Sequence, residues 1–282
     1  MSSLVRLELR KALANRWFII SLGLALTLAL ASAFISAEAA LSWAALKDGG
    51  SQEYLVMSTQ GSYGRTLLVG TDVAKEAFFL LAPLLALTPY AWSLRSEMVS
   101  GFLAHMYTRC PRSRYLAAKA TATFTTGFLV AAIPLMVNFI ALSCLLPAYQ
   151  PEVYDNLYLG VNPEDAFARL FYEAPFCYLL VNALVDGILY GTWTLCVLAV
   201  STLVDNRVLL LAGSYLFVIA VHAFSKVIFP ALGVTGFRFS LIDLPQGAGD
   251  IDRDPRALVA VLLIQLIFGT LLLRAREGSD AL

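Results

Sequence analysis

Apolar residues along this chain run in six long stretches, each bounded by polar or charged segments. A helix needs about 20 mostly apolar residues to cross the hydrocarbon core of a bilayer. The third and fourth stretches are longer than that, so we expect their helices to tilt or to project beyond the bilayer. The pattern predicts six transmembrane helices, at 17–37, 77–94, 115–146, 176–204, 208–230 and 257–273.

The first 16 residues show a different, amphipathic pattern. Val5, Leu9 and Leu13 recur every four residues, and Arg6 and Arg10 form a basic stripe beside them. This arrangement is typical of a helix that lies in the membrane interface. The apolar run after it could also be read as a signal peptide, but it is longer than a usual signal core, which favours a membrane anchor.

Composition supports an all-α membrane protein with one transmembrane domain over 1–282. Hydrophobic residues make up 59% of the chain and charged residues 14%, and the mean hydropathy is +0.73. Soluble domains contain about 25% charged residues. The formal net charge is zero, which argues against a nucleic-acid partner.

Lys and Arg are concentrated in the amino-terminal segment, in the loop between the second and third predicted helices and in the carboxyl-terminal tail. Basic residues remain on the cytoplasmic side of membrane proteins. We therefore expect a multi-pass protein of the cytoplasmic membrane with both ends in the cytoplasm. The long loops at 38–76, 148–175 and 231–256 would lie outside, and the last, rich in Gly and Pro, would form either a solvated loop or an irregular lid that dips toward the membrane.

Sequence motifs for catalysis or metal binding are missing. The chain has no GxxxxGK[ST], HExxH or GxSxG motif, and its four cysteines show no CxxC spacing. We therefore expect no enzyme activity, no metal and no cofactor bound by this chain. The cysteines are predicted to be buried fillers, with a Cys144–Cys177 disulfide left open.

The loop between the second and third predicted helices contains a short amphipathic helix. Glu97 is followed four residues later by Gly101, and Phe102, Leu103 and Met106 then give one apolar face. Apolar side chains in a polar loop need a surface against which to be buried. The pattern indicates either a helix that docks into a partner's groove or an ordinary interfacial loop.

A basic turn follows this helix. Pro111 ends it, Pro-Arg-Ser-Arg leads into the third predicted span, and Lys119 lies one turn inside. The segment resembles the coupling-helix region of the permease subunits of type-2 ABC exporters, where Glu-x-x-x-Gly precedes a Thr-Pro-x-Ser-Arg-like turn and a lysine. Here Arg109 and Cys110 separate Thr108 from Pro111. The resemblance extends over the whole chain, from the interfacial helix to the loop before the sixth span.

The resemblance implies a permease that pairs in the membrane with a second copy or a related chain. A separate cytoplasmic ATPase, which would bind the ATP and Mg, would receive the short helix in a groove. The cargo would be amphipathic or hydrophobic, such as a peptide antibiotic, a drug or a lipid. Apolar docking side chains, rim charges and the glycine of the motif are implied for this coupling: Glu97, Gly101, Phe102, Met106, Tyr107 and Arg109.

Several polar residues lie inside the predicted spans, where ionisable groups are costly. They would line a transport path or a permease dimer interface, or form a hydrogen-bonded cluster between helices. If Asp186 and His222 acted together, the chain could instead be a secondary transporter driven by an ion gradient; a sensor or assembly subunit is the third possibility. These polar residues are Asn138, Asn182, Asp186, His222 and Lys226.

Overall fold

The computed structural model describes residues 2–47, 61–153, 161–162, 165–228, 231, 239–247 and 253–278. Within these ranges the regular secondary structure is helical throughout. The helices are α1 (Ser2–Leu13), α2 (Arg16–Lys47), α3 (Val73–Leu87), α4 (Ser93–Val99), α5 (Phe102–Tyr107), α6 (Arg112–Leu145), α7 (Ala168–Glu173), α8 (Pro175–Val200), α9 (Arg207–Ala223, continued by a π-helical turn over Phe224–Ile228) and α10 (Pro255–Gly278).

Five helices in the described part of the chain are long and apolar enough to cross a bilayer. They correspond to the first, third, fourth, fifth and sixth predicted spans, and the protein is therefore an all-α, multi-pass membrane protein. The spanning segments are Arg16–Ser42, Arg112–Leu145, Pro175–Val200, Arg207–Ile228 and Pro255–Ala275.

The second predicted span, 77–94, is not one continuous helix. α3 has 15 residues, which is about 22 Å of helix against a hydrocarbon core of about 30 Å. It ends at Leu87, because Pro89 has no amide hydrogen with which to continue the ladder. The side chain of Asn15 donates instead to the Pro89 carbonyl at 2.7 Å, and α4 begins after a short turn.

Contacts with α2 place the two ends of α3. Ser32 and Ser36 donate hydrogen bonds to the Asp72 carboxylate at 2.7 and 3.2 Å, next to the start of α3. Asn15 meets Pro89 beyond its other end. α3 and the turn that follows it therefore run antiparallel to α2, between about residues 15 and 36.

The amino-terminal helix packs on the bundle, while part of its predicted apolar face stays exposed. Glu8 and Ala12 are fully buried, whereas Leu13 is 37% exposed. Asn15 separates α1 from α2 by accepting a hydrogen bond from the amide of Trp17 at 3.2 Å. α1 is thus part of the folded core, and its buried face includes a carboxylate.

α6 and α8 pack closely because two glycines on α8 leave room for aromatic rings of α6. A Cβ added at Gly187 would lie 2.6 Å from the Phe128 ring, and one at Gly191 would lie 2.7 Å from Phe124. Small residues at helix contacts allow such close approach in membranes.

Two segments that the sequence places in outer loops fold back against the helices. The amide of Gly247 donates to the Leu68 carbonyl at 3.0 Å, and Leu68, Leu241 and Leu244 are buried. The described part of the last outer loop therefore packs into the protein. Gly233, Gly236 and Gly249 of that loop lie outside the described residues.

One end of the bundle gathers segments that are distant in sequence. Arg95 of α4 pairs with Asp205, which precedes α9. The Arg207 guanidinium lies 3.8 Å from the ring centroid of Trp92 and 4.9 Å from that of Trp17. The beginnings of α2 and α9 therefore lie beside α4.

α8 and α10 run in the same direction, so the last described helix leads toward that same end. Leu258, near the start of α10, packs with Leu189. Gly269, further along α10, lies against the backbone of Cys196, one to two turns beyond Leu189. The chain thus enters and leaves the described bundle at one end.

The cysteine prediction is wrong in part. All four thiols are free, and Cys196 alone is buried. Cys144 and Cys177 are exposed on the apolar outer face of the isolated bundle.

Candidate functional site

A cluster of charged and phenolic side chains connects α1, α4 and α6 at the end of the bundle where the chain enters. We refer to it as the charge hub. Its members are Glu8, Lys11, Tyr90, Glu97, Tyr115 and Lys119.

Lys119 lies at the centre of the charge hub. Its Nζ is 2.7 Å from a Glu97 oxygen and 3.1 Å from a Glu8 oxygen, and neither Lys119 nor Glu8 is exposed. The hydroxyl of Tyr90 donates to Glu8 at 2.8 Å, and that of Tyr115 donates to Glu97. A buried charge is tolerated only when it is paired and hydrogen-bonded, and these contacts supply both.

The charges of the hub balance. Lys11 is 2.9 Å from Glu8 and 3.9 Å from Glu97, so two lysines face two glutamates. Burial on its own raises the pKa of Glu8, but the charge of Lys119 and the hydrogen bonds from Lys11, Tyr90 and Lys119 outweigh it, and the pKa lies below the ordinary value of 4.5. The Glu8 carboxylate therefore stays ionised in the folded protein.

The hub also holds α5 in place. The Lys11 ammonium lies 4.9 Å from the ring centroid of Phe102, a cation–π contact. Tyr107 meets Tyr115 edge to face at 6.2 Å, and Leu103 is buried in a cluster that includes Tyr115. Through these contacts, α5 is joined to α1 and α6.

Gly101 forms the junction between α4 and α5 and has φ +72°. This left-handed conformation is readily adopted by glycine and costs other residues energy. The predicted glycine thus has a local structural reason: it sets the angle between α4 and α5.

The structure changes the roles expected for the remaining coupling residues. Glu97 is not a rim charge, because Lys119 and Tyr115 bind it from inside. Met106 and Tyr107 are half-buried against the Leu103 cluster. The exposed face of α4 and α5 is formed instead by Val99 (71% exposed) and Phe102 (39%), together with His105, Thr108 and Arg109.

A second polar site lies deep between α8 and the segment before α10. Arg253, 1% exposed, donates to Asp186 at 2.7 Å and also to Asn182. Its backbone amide donates to Asp165 at 2.5 Å. Among the described residues, one oxygen of Asp186 and the Nε of Arg253 are buried without a hydrogen-bond partner, so the described contacts satisfy this ion pair only in part.

The polar residues predicted from the spans form three separate groups. Asp186 and Asn182 belong to the Arg253 site. His222 is 2.7 Å from Asp243, and Lys226 is 3.6 Å from the same carboxylate.

Asn138 forms the third group. It accepts from the Leu67 amide at 2.9 Å and donates to the Ala29 carbonyl at 2.8 Å. A direct pairing of Asp186 with His222 is therefore not seen, and Asn138 fixes the packing of α6 against α2 and the segment before α3.

The sequence predicts the buried polar residues but not the residues that pair with them. A lysine inside a span, such as Lys119, requires a counter-charge. The apolar and basic periodicity of α1 gives no sign that Glu8 supplies it. Arg253 and Asp243 lie in the last outer loop, for which the sequence leaves a solvated loop and a lid that dips toward the membrane equally open.

The chain matches no family model and no curated protein sequence.

Proposed function

We propose that this chain is the transmembrane permease subunit of an ATP-driven exporter of the type-2 ABC class, energised by a separate ATPase that docks on the exposed face of α4 and α5. The supporting observation is the charge hub, because it joins this exposed face to α1 and α6. The cargo class is amphipathic or hydrophobic, and a second permease subunit completes the transporter.

The exposed face is suited to helix-in-groove docking. Val99 and Phe102 present apolar surface on the two sides of the Gly101 junction, and Arg109 adds a positive charge near the end of α5. A few apolar anchors supply most of the binding energy in such interfaces. A movement of α5 would be transmitted to α6 through Tyr115 and Lys119, and to α1 through Lys11.

The proposal includes a sixth membrane crossing, made by α3 with the buried turn that follows it. Support comes from the contacts at the two ends of α3: Ser36 bonds Asp72, and Asn15 bonds Pro89. From Asn15, which precedes α2, to Ser32 and Ser36 is about 26–31 Å at 1.5 Å per residue, close to the hydrocarbon core of about 30 Å. We place the end that contains the hub in the cytoplasm, where the basic residues of the sequence lie.

The gradient-driven alternative has no comparable support. A proton relay needs its groups within hydrogen-bond reach, but Asp186 is bound by Arg253, and His222 by Asp243.

Affinity purification from native membranes tests the docking assignment. The unmodified tagged protein should retain a soluble protein with a Walker motif, in about a one-to-one ratio. Val99→Asp and Phe102→Asp should each reduce the retained ATPase by at least about tenfold, because a desolvated apolar anchor is worth about 2 kcal/mol.

Val153→Asp serves as the matched control. Val153 is 44% exposed beyond the far end of α6, so the same change there should leave the ATPase bound. Retention of the ATPase by all three variants would show that α4 and α5 are not the docking surface. Transport by the purified chain without any ATPase would overturn the proposed function itself.

A further inference from the structure

The beginning of α9 presents a guanidinium group that is held by aromatic rings rather than by a carboxylate. The Arg207 guanidinium lies 3.8 Å from the ring centroid of Trp92 and 4.9 Å from that of Trp17. Both distances are within the range of a cation–π contact. Asp205, the nearest acidic residue in the sequence, pairs with Arg95 instead. Within the described part of the chain, Arg207 therefore carries a charge that no anion balances.

Stacking on the rings leaves the N–H groups of Arg207 available. A cation–π contact uses the flat face of a guanidinium, whereas its five N–H donors lie in the plane of the group. None of these donors forms a hydrogen bond to an atom of the described residues. Such a planar fork can bind two oxygens of a phosphate at once. Because the two ring contacts orient the fork in advance, they lower the entropic cost of binding.

The residues around this guanidinium have an excess of positive charge. We refer to the group as the Arg207 corner, and its members are Arg16, Trp17, Trp92, Arg95, Asp205 and Arg207. Arg16, next to Trp17 in the sequence, is exposed. Three arginines are thus accompanied by one aspartate, which gives the corner a net charge of +2. The corner is therefore suited to an anionic ligand.

Exposed apolar side chains continue from the corner along two helices. Val208 and Leu209 are exposed on the first turn of α9, and Ile19 and Ile20 on the first turn of α2. Both helices are long and apolar enough to cross a bilayer, so these side chains face acyl chains. A phosphate attached to acyl chains can contact the guanidinium and the apolar surface together, whereas a water-soluble phosphate can use only the guanidinium.

We propose that the Arg207 corner binds one anionic phospholipid. Its phosphate accepts hydrogen bonds from the Arg207 guanidinium, and its acyl chains lie along the exposed sides of α2 and α9. Because Trp17 belongs to α2 and Trp92 precedes α4, the bound lipid holds the beginning of α9 beside both helices. The site depends neither on export nor on an ATPase.

Native mass spectrometry of the purified chain tests the site. The protein is delipidated in detergent and titrated with dioleoylphosphatidylglycerol or with dioleoylphosphatidylcholine, which has the same acyl chains and a zwitterionic headgroup. The first lipid should bind with a Kd at least about fivefold lower, because one basic residue near the membrane surface favours an anionic headgroup by about that factor.

Three variants locate the bound lipid. Arg207→Gln should remove most of the preference for phosphatidylglycerol, because it deletes both the charge and the donor fork. Arg274→Gln is the matched control, since it removes an exposed charge near the end of α10 at the same end of the bundle, and it should leave the preference unchanged. Arg207→Lys keeps the charge but not the planar fork, so it should bind phosphatidylglycerol about two- to tenfold more weakly, the value of one hydrogen bond.

The deacylated headgroup distinguishes a lipid site from a site for a soluble phosphate ester. Glycerophosphoglycerol carries the same phosphate as phosphatidylglycerol but lacks the acyl chains. At a concentration equal to that of the lipid, it should not displace bound phosphatidylglycerol. Displacement under these conditions would show that the corner selects a soluble phosphate ester, contrary to the proposal.

Equal Kd values for the two lipids, a preference that survives Arg207→Gln, or an equal loss in Arg274→Gln would each overturn the assignment. If Arg207→Gln does not fold, unweakened binding of phosphatidylglycerol by Arg207→Lys is the contradicting result. A protein that retains its ATPase but shows no lipid preference would remove this site alone. A lipid preference that requires Arg207, in a protein that transports without any ATPase, would leave the site standing and remove the proposed function.

Discussion

At the scale of single residues, Asp186 and Arg253 form a buried ion pair in which each charge compensates the other. Both side chains are essentially unexposed. Removing one partner of a buried ion pair costs about 3–5 kcal/mol, because it leaves an uncompensated charge. We expect Asp186→Asn and Arg253→Gln each to destabilise the protein by about that amount in mixed-micelle unfolding followed by tryptophan fluorescence.

The double variant distinguishes pairing from independent packing roles. It should lose less stability than the sum of the two single losses, with a coupling of at least about 1 kcal/mol. Arg256→Gln, an exposed arginine three residues away, should change stability by no more than about 0.5 kcal/mol. Additive losses from the two single changes would contradict the pairing.

The same pair shows where residue-level prediction from sequence ends. An aspartate inside an apolar stretch requires a polar partner, so a buried polar site at Asp186 was predictable. Arg253 was not, because it lies 67 residues away in a loop whose path into the bundle no local pattern encodes. The same limit applies to Glu8 and Lys119, which are separated by 111 residues.

Replacing Gly101 by alanine should lower the stability of the protein, whereas the same change at a control glycine should raise it. Gly101→Ala should destabilise α5 by about 1–2 kcal/mol, because its φ of +72° disfavours a Cβ. Gly23→Ala, in the interior of α2 with open space around it, should stabilise by about 0.5–1 kcal/mol. Unfolding of both variants in the same detergent measures the difference, and shifts of the same sign would show that the backbone at Gly101 is not the cause.

At the scale of elements, the docking of α1 should depend on pH. The pKa of Glu8 is depressed in the folded protein, so its contribution is present in full above the ordinary value of 4.5 and is lost as the pH falls through the depressed value. Hydrogen–deuterium exchange of peptide 2–13, corrected for the intrinsic rate at each pH, should show α1 loosening over that acid range.

The matched variant is Glu8→Gln, which has no carboxylate to titrate. Its α1 should exchange faster at neutral pH, because Lys119 and Lys11 lose one counter-charge, and this faster exchange should vary little between pH 3 and 6. If the exchange of α1 in Glu8→Gln followed the same acid profile as in the unmodified protein, another group would be responsible.

The hydrophobic pattern predicts some helices well and others poorly. The five long helices were predictable, because each needs only a continuous apolar run, and α6 begins at Arg112 where 115 was expected. The break after Leu87 was not predictable from hydropathy, because the apolar stretch has the length of a complete span. Pro83 and Pro89 are the sequence features that could have indicated it. The burial of Glu8 on α1 was also not predictable, because periodicity cannot anticipate a carboxylate that a lysine on α6 neutralises.

At the scale of the whole molecule, the number of crossings and the location of the two ends constrain each other. α1 and the end of α10 lie toward the same end of the bundle, which requires an even number of crossings. Five helices of the described chain are long enough to span, so in the proposed six-crossing arrangement α3 with its following turn supplies the remaining crossing.

Reporter fusions test this parity directly. Fusions at the amino terminus, after Arg109, after Asp205 and at the carboxyl terminus should all give a fluorescent cytoplasmic reporter. A fusion after Val153 should instead activate alkaline phosphatase, because that residue follows α6 at the far end. The sharpest comparison is between the amino terminus and Arg109, because in the described chain between them α2 and α3 are the helices proposed to cross. Opposite locations for these two points would mean that α3 does not cross, and the hub could not then join α1 to α4 on one side of the membrane. The same location at both, together with phosphatase activity after Val153, would support six crossings with α4 and α5 facing the cytoplasm, where an ATPase could reach them.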